Sequence, residues 1–137
     1  MPNEPSVAYM FSNLTIKLKS ITGINYLRKP FESTKSLDCS HIFENSNLSD
    51  AHVESKELQS LLTRAENISY AFAGFAVPSG FDFNYVELGN PKNMEGLFEN
   101  SPVETIDITR WKTENVENMN YMFKNAHSLK HIYINQG

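Results

Sequence analysis

The sequence predicts an α/β solenoid: a short stack of about five units, each a strand plus a short helix, with a parallel sheet on one face. Three observations predict this fold class. An apolar-Phe-x-Asn motif recurs along the chain, its spacing is nearly regular, and short alternating apolar runs follow it. The 137 residues suit a single repeat domain, 1–137, with one continuous core.

Each unit is anchored by a phenylalanine. The five anchors are Phe11, Phe43, Phe72, Phe98 and Phe123. Successive anchors lie 32, 29, 26 and 25 residues apart. Two residues after each anchor stands an Asn or a Gly, the residues that tolerate positive φ, so we predict C-cap or tight-turn roles there. These residues are Asn13, Asn45, Gly74, Asn100 and Asn125.

A short helix or 3₁₀ turn is predicted around each anchor. An apolar residue stands four positions before it in every unit, and these residues are Val7, Cys39, Ile68, Met94 and Met119. In the last unit, apolar residues from Val116 to Phe123 follow the spacing of one helical face. Thr63 with Glu66 resembles a capping box, which supports a helix start in the third unit.

Strands are predicted after the anchors. The clearest alternating runs are residues 129–134 and 103–108. Weaker copies in the earlier units are Leu48 with Ala51 and Val53, Phe81 with Phe83, and Leu18 with Ile21 and Ile24. One unit alone buries too little apolar surface to offset its ordering entropy. The units must therefore stack, and their strands must pair in parallel.

The stretch 106–123 resembles the repeat of BspA-like leucine-rich repeat surface proteins. It carries Trp111-Lys112-Thr113, then Asn115-Val116, then a Met-x-x-Met-Phe element ending at Phe123. The resemblance is specific over 92–137 and degenerate over 7–91, where Ala71-Phe72 replaces Met-Phe. It implies a bacterial or protozoan protein at the cell surface or secreted, associated with adhesion to host or neighbouring cells.

Composition excludes several classes of function. Twelve basic and 16 acidic residues, spread thinly, give a net charge of −4 and no basic stripe, so nucleic acid is not an expected partner. No apolar run approaches the length needed to span a bilayer. A single cysteine excludes an internal disulfide and a cysteine-based zinc site. We expect no cofactor, no metal and no enzymatic activity.

Two constellations bear on catalysis or metal binding, and both have a structural interpretation. Cys39 beside His41 could form a nucleophile pair, but Cys39 occupies a repeat position that is apolar elsewhere, which favours the core. His127 and His131 are four apart, but the repeat places one in a turn and the other on a strand. A small hydrolase is therefore the least favoured interpretation.

The strand face is the predicted binding surface, because side chains between the core positions point outward there. Its central column is Thr22, His52, Asp82, Asp107 and Tyr133, flanked by Thr105, His131 and Thr109. This polar face suits a protein or a glycan, as in an adhesion module. An inert, solvated face fits equally well, in which case the repeats are a structural spacer that displays another domain.

The two ends of the stack also bear on partners. No polar cap follows the last strand, and the first unit begins in its middle. Terminal repeats usually need such a cap. We therefore expect the chain to be a piece of a longer one, with more repeats or another domain beyond it, or self-association through uncapped ends.

Overall fold

The computed structural model describes residues 6, 8–13, 37–49, 62–63, 65–77, 83, 88 and 91–134. The strands are β1 (Leu37–Asp38), β2 (Ala65–Asn67), β3 (Thr105–Ile108) and β4 (His131–Ile134). Strand β1 pairs with β2 and β3 with β4, both in parallel. Strands β3 and β4 fall within the two clearest alternating runs, so that prediction is confirmed. Of the weaker runs, only Leu48 and Phe83 lie within the described residues. Both side chains are buried, but Leu48 follows an isolated parallel bridge between Asn47 and Ala76, and Phe83 lies in a 3₁₀ turn and not in a strand.

The five anchor phenylalanines form a single column. Their ring centroids are separated by 5.2, 6.1, 6.0 and 5.8 Å from the first anchor to the fifth, and adjacent rings are tilted by no more than 15°. The three inner rings, Phe43, Phe72 and Phe98, are at most 1% exposed. The predicted alignment of the anchors is therefore confirmed. It places one unit directly on the next.

Larger side chains fill the space beside this column. Phe75 packs against Phe43 and Phe72, with ring centroids 5.2 and 5.6 Å away. Trp111 stacks on Phe98 at 6.1 Å and is 1% exposed. Its indole Nε1 donates a hydrogen bond of 2.9 Å to the Phe83 carbonyl oxygen. The one tryptophan therefore ties the third unit to the fourth through packing and a satisfied buried donor.

The segment around each anchor is a run of overlapping β-turns, where the sequence predicted a short helix or 3₁₀ turn. We call it the turn segment; in the second unit it covers residues 39–46. Each β-turn has a hydrogen bond from a backbone N–H to the carbonyl oxygen three residues earlier. These bonds run from the Ile42 N–H to Cys39, from the Glu44 N–H to His41 and from the Ser46 N–H to Phe43. The residues with positive φ in this segment are His41 (57°) and Asn45 (57°).

Of the two predicted alternatives, the short helix is wrong because left-handed residues recur in every segment, whereas hydrogen bonds between residues three apart are the kind that a 3₁₀ turn makes. A residue with φ near +60° cannot continue a right-handed helix. The Asn/Gly prediction is confirmed at all five positions, with φ of 56°, 57°, 61°, 61° and 59°. The supposed capping box is also wrong, since Glu66 belongs to β2.

Backbone hydrogen bonds join the turn segments in one direction. The N–H groups two residues before the anchor, at the anchor and two residues after it all donate to carbonyls of the following unit. Between the second and third units these bonds run from His41 to Ser69, from Phe43 to Ala71 and from Asn45 to Ala73, at 2.9, 2.9 and 2.7 Å. The same three positions donate at each other junction of the described turn segments.

A polar residue five positions before the anchor completes each turn segment. These residues are Ser6, Asp38, Asn67, Asn93 and Asn118. The side-chain oxygen of each accepts the backbone N–H two residues later, at 2.9–3.0 Å. This is the Asx-turn or ST-turn geometry, and it satisfies an N–H that is used neither by the β-turns nor by the bonds between units. Within the described residues, no helix is long and apolar enough to cross a membrane.

Candidate binding face

Strands β3 and β4 place the predicted binding residues side by side. The strands pair in register, so that Asp107 lies opposite Tyr133 and Thr105 opposite His131. The intervening Ile106 and Ile108 are 0% and 4% exposed and face the core. Alternation then directs the paired polar residues to the opposite face. We call the surface formed by Thr105, Asp107, Thr109, His131 and Tyr133 the strand face.

Local contacts order the side chains of the strand face. The rings of His131 and Tyr133 stack, with centroids 6.2 Å apart and planes 15° from parallel. Asp107 Oδ1 accepts hydrogen bonds from the backbone N–H and the side-chain Oγ1 of Thr109, at 3.2 and 2.9 Å. Tyr133 is 50% exposed. An accessible aromatic pair therefore lies beside a carboxylate whose orientation is fixed.

This arrangement combines apolar and polar contact groups. Aromatic rings supply apolar contact area, and the carboxylate and hydroxyl groups supply hydrogen bonds that set orientation. The other predicted members of the column, Thr22, His52 and Asp82, lie outside the described residues. Their place on the face stays a prediction.

Cys39 is a core residue. It is 0% exposed, and burial, followed by the charge of Asp38, raises the pKa of its thiol to about 12. A thiol protonated at neutral pH and closed to solvent is a poor nucleophile. The core interpretation of this position is confirmed. Neither His127 nor His131 joins a cluster of three metal-binding side chains within the described part of the chain.

His41 belongs to a second column of rings that the sequence analysis missed. Its ring lies between those of Tyr9 and Tyr70, with centroids 4.4 and 5.0 Å away and planes within 10° of parallel. Its Nδ1 lies 2.7 Å from Glu44 Oε2. Tyr70 in turn covers Gly96, because a Cβ on that glycine would overlap its ring. We call Tyr9, His41 and Tyr70 the ring column.

The ring column stands two residues before the anchors, at the first of the two left-handed positions in each turn segment. The φ values there are 63°, 57°, 55°, 61° and 61° for Tyr9, His41, Tyr70, Gly96 and Tyr121. Desolvation raises the pKa of the Tyr70 hydroxyl, helped by the nearby carboxylates of Glu95 and Glu99. The sequence signal that could have found the ring column is a ring-bearing residue at this position in four of the five units.

The stacked anchors, the parallel strands and the recurring turn segments define a repeat protein. Its family is shown by comparison with family models: residues 6–135 match the family described as Mycoplasma protein of unknown function, DUF285. The match covers nearly the whole chain, and the protein belongs to this family. Comparisons with curated proteins and with solved structures gave no match.

Proposed function

We propose that this protein is a non-enzymatic recognition module that binds a protein or glycan through the strand face. The observation that carries the proposal is the in-register pairing of β3 with β4, which brings Asp107 beside Tyr133 and Thr105 beside His131. An exposed ring pair next to an oriented carboxylate is the kind of surface that binds sugars and peptides.

We further propose that the units form a leucine-rich-repeat-like solenoid of the BspA-like type. The column of anchors, the parallel pairing and the Trp-x-Thr element at Trp111 support this proposal. A solenoid holds side chains of successive strands at fixed spacing, so that an extended ligand meets several of them at once. A place at the cell surface, in adhesion, accompanies this proposal. Antibody labelling of intact and permeabilised cells that naturally express the protein tests it.

The test of recognition compares two double variants. One removes the proposed contacts by Asp107→Ala and Tyr133→Ala. The matched control, Lys112→Ala with Glu114→Ala, changes two exposed residues outside the strands. Binding of each protein to immobilised glycans and to intact cells is measured, with circular dichroism confirming the fold. We expect the first variant to bind at least roughly tenfold more weakly and the control to bind as wild type.

Two outcomes contradict the proposal. Equal binding by the strand-face variant and the control would place the ligand elsewhere on the molecule. No binding by the wild-type protein to either probe would favour the alternative, in which the repeats are a structural spacer with no ligand of their own. Tyr133→Phe serves as a second variant: it keeps the ring and the strand while removing one hydroxyl, so it separates a lost contact from a lost fold.

A further inference from the structure

The direction of the hydrogen bonds between units leaves unpaired donors at one end of the stack. The N–H groups of Tyr121, Phe123 and Asn125 occupy the positions that donate onward in every earlier unit. Within the described part of the chain they meet no acceptor. We call this the donor end. Three N–H groups in a row on a solvent-facing edge resemble the open edge of a sheet, which readily accepts another chain.

The opposite end presents the matching acceptors. In the second unit, the carbonyls of Ser40, Ile42 and Glu44 accept the bonds from the first unit. The equivalent carbonyls in the first unit belong to Ala8, Met10 and Ser12, and they receive no hydrogen bond within the described residues. We call this the acceptor end. Its three carbonyls have the sequence spacing of the three N–H groups at the donor end.

Both ends also expose side chains that are buried in the inner units. Met119 at the donor end is 44% exposed, whereas Cys39, Ile68 and Met94 at the same repeat position are 0% exposed. Met10 at the acceptor end is 46% exposed, whereas its equivalents Ile42, Ala71 and Leu97 are 0% exposed. At each end, an apolar side chain at a core position of the repeat is therefore exposed to solvent.

An apolar cavity of about 140 Å³ adds to the donor end. It is lined by Ile108, Trp111, Thr113, Met119, Met122, Phe123 and Ile134. Strand β4 beside it leaves Ile132 42% exposed and Ile134 54% exposed. Burial of this surface would be favourable by roughly 25 cal/mol per Å² of apolar area.

We propose that the donor end of one copy binds the acceptor end of a second copy. The N–H groups of Tyr121, Phe123 and Asn125 donate to the second copy's carbonyls at positions 8, 10 and 12, as at every internal junction. Phe123 then stacks on the next anchor and Tyr121 on the next ring column. A second copy is the occupant because the complement of the donor end, in hydrogen bonds and in rings, is found on this same chain.

This contact joins two different surfaces, so each bound copy offers a new free end. A head-to-tail interface that does not close into a ring produces an open series of oligomers or a filament. A head-to-head contact would stop at the dimer. The number and size of species in solution therefore distinguish the two arrangements.

The experiment uses two end-blocking variants at matched positions. Met119→Glu places a charge on the donor end, and Met10→Glu places one on the acceptor end; both side chains are nearly half exposed, so the fold should tolerate the change. Sedimentation velocity is measured over a roughly hundredfold range of protein concentration. We expect the wild type to form a growing series, each variant alone to be a monomer, and their mixture to form a dimer only.

The mixture decides the result, because each variant keeps the one end that the other lacks. A wild type that stays monomeric at the highest concentration overturns the proposal, as does a closed dimer that does not grow. Association of both single variants at wild-type strength also overturns it. Ser49→Glu, which places the same charge on an exposed residue of the second unit, is the control and should associate as the wild type does. Circular dichroism of every variant confirms that loss of association is not loss of fold.

Discussion

At the scale of single residues, backbone conformation is the most distinctive feature of this protein. Two residues of every turn segment have φ near +60°, and eight of these ten positions are not glycine. A residue with a side chain loses roughly 1–2 kcal/mol in this region. Among residues with a side chain, Asn has the smallest penalty at positive φ. Tyrosine, which stands at three of these positions, is unusual there. The stacking of Tyr9 and Tyr70 on His41 offsets part of that penalty.

Gly96 tests the link between the glycine and the ring column. Gly96→Ala adds a Cβ at positive φ that would overlap the Tyr70 ring, whereas Gly74→Ala adds one that meets only the flexible end of the Asn45 side chain. We expect Gly74→Ala to lower the free energy of unfolding by about 1 kcal/mol and Gly96→Ala by about 2–3 kcal/mol. Urea denaturation measures both. Equal losses, or no relief of Gly96→Ala by Tyr70→Ala, would contradict this account.

Cys39 makes stability depend on pH in the alkaline range. Its pKa is raised from 9.0 to about 12 in the folded protein, so the folded state keeps the proton longer than the unfolded state. The stabilisation from this group is complete below about pH 9 and is lost as pH rises from there toward the folded pKa. The loss is about 1.4 kcal/mol per pH unit.

The check compares wild type with Cys39→Ala by urea denaturation between about pH 8 and about pH 10.5. The alanine variant has a cavity penalty that does not depend on pH, and every other titrating group is shared. The stability advantage of the wild type should therefore shrink by about 2 kcal/mol across this range. A constant difference between the two proteins would show that the thiol is not held protonated by burial.

At the scale of the elements, the sequence predicted the anchors, the Asn/Gly turns and strands β3 and β4. It failed on the turn segments for a physical reason. Apolar residues four and one positions before the anchor suit one face of a helix, but the hydrogen bond of each β-turn also joins residues that are three apart. Periodicity alone does not separate the two. Strands β1 and β2 are two and three residues long, too short for an alternation to be visible.

Asn93 tests the polar residue that precedes each turn segment. Its Oδ1 accepts the Glu95 N–H at 3.0 Å. Asn93→Ala leaves that N–H without an acceptor and should lower the free energy of unfolding by about 1 kcal/mol. Asn93→Asp keeps an acceptor oxygen and should stay within about 0.5 kcal/mol of wild type. Urea denaturation measures both variants, and an equal loss in the two would mean that the hydrogen bond contributes nothing.

The strand face shows the same division between what sequence predicts and what it does not. Alternation along each strand predicted that Asp107 and Tyr133 point away from the core. Their pairing across strands depends on register, which the alignment of the two alternating runs supplied, because it sets Ile106 against Ile132. The stacking of His131 on Tyr133 and the bonds from Asp107 to Thr109 depend on side-chain rotamers, which no repeat pattern specifies.

At the scale of the whole molecule, the hydrogen bonds between units all have the same sense, so the stack has two different ends. In the part of the chain that the structure describes, inner units such as that of Phe72 have a neighbouring unit on both sides, while the first and last have one. In repeat proteins stability is approximately the sum of unit and neighbour terms, so local opening should be easiest at the ends. Hydrogen exchange of the backbone N–H groups can measure this local opening directly, because the same three positions donate at each junction.

Amide hydrogen exchange measures this gradient. In dilute protein, the N–H groups of Tyr121, Phe123 and Asn125 have no acceptor among the described residues and should exchange at nearly unprotected rates. The N–H groups of Tyr70 and Phe72 are hydrogen-bonded to the fourth unit at 2.8 and 3.2 Å. They should exchange at least roughly a thousandfold more slowly. Concentrating the wild type should protect the donor end if copies join there, whereas Met119→Glu should leave it unprotected. Protection of the donor end in dilute protein would contradict the one-directional ladder, because it would require an acceptor at an end where the described chain provides none.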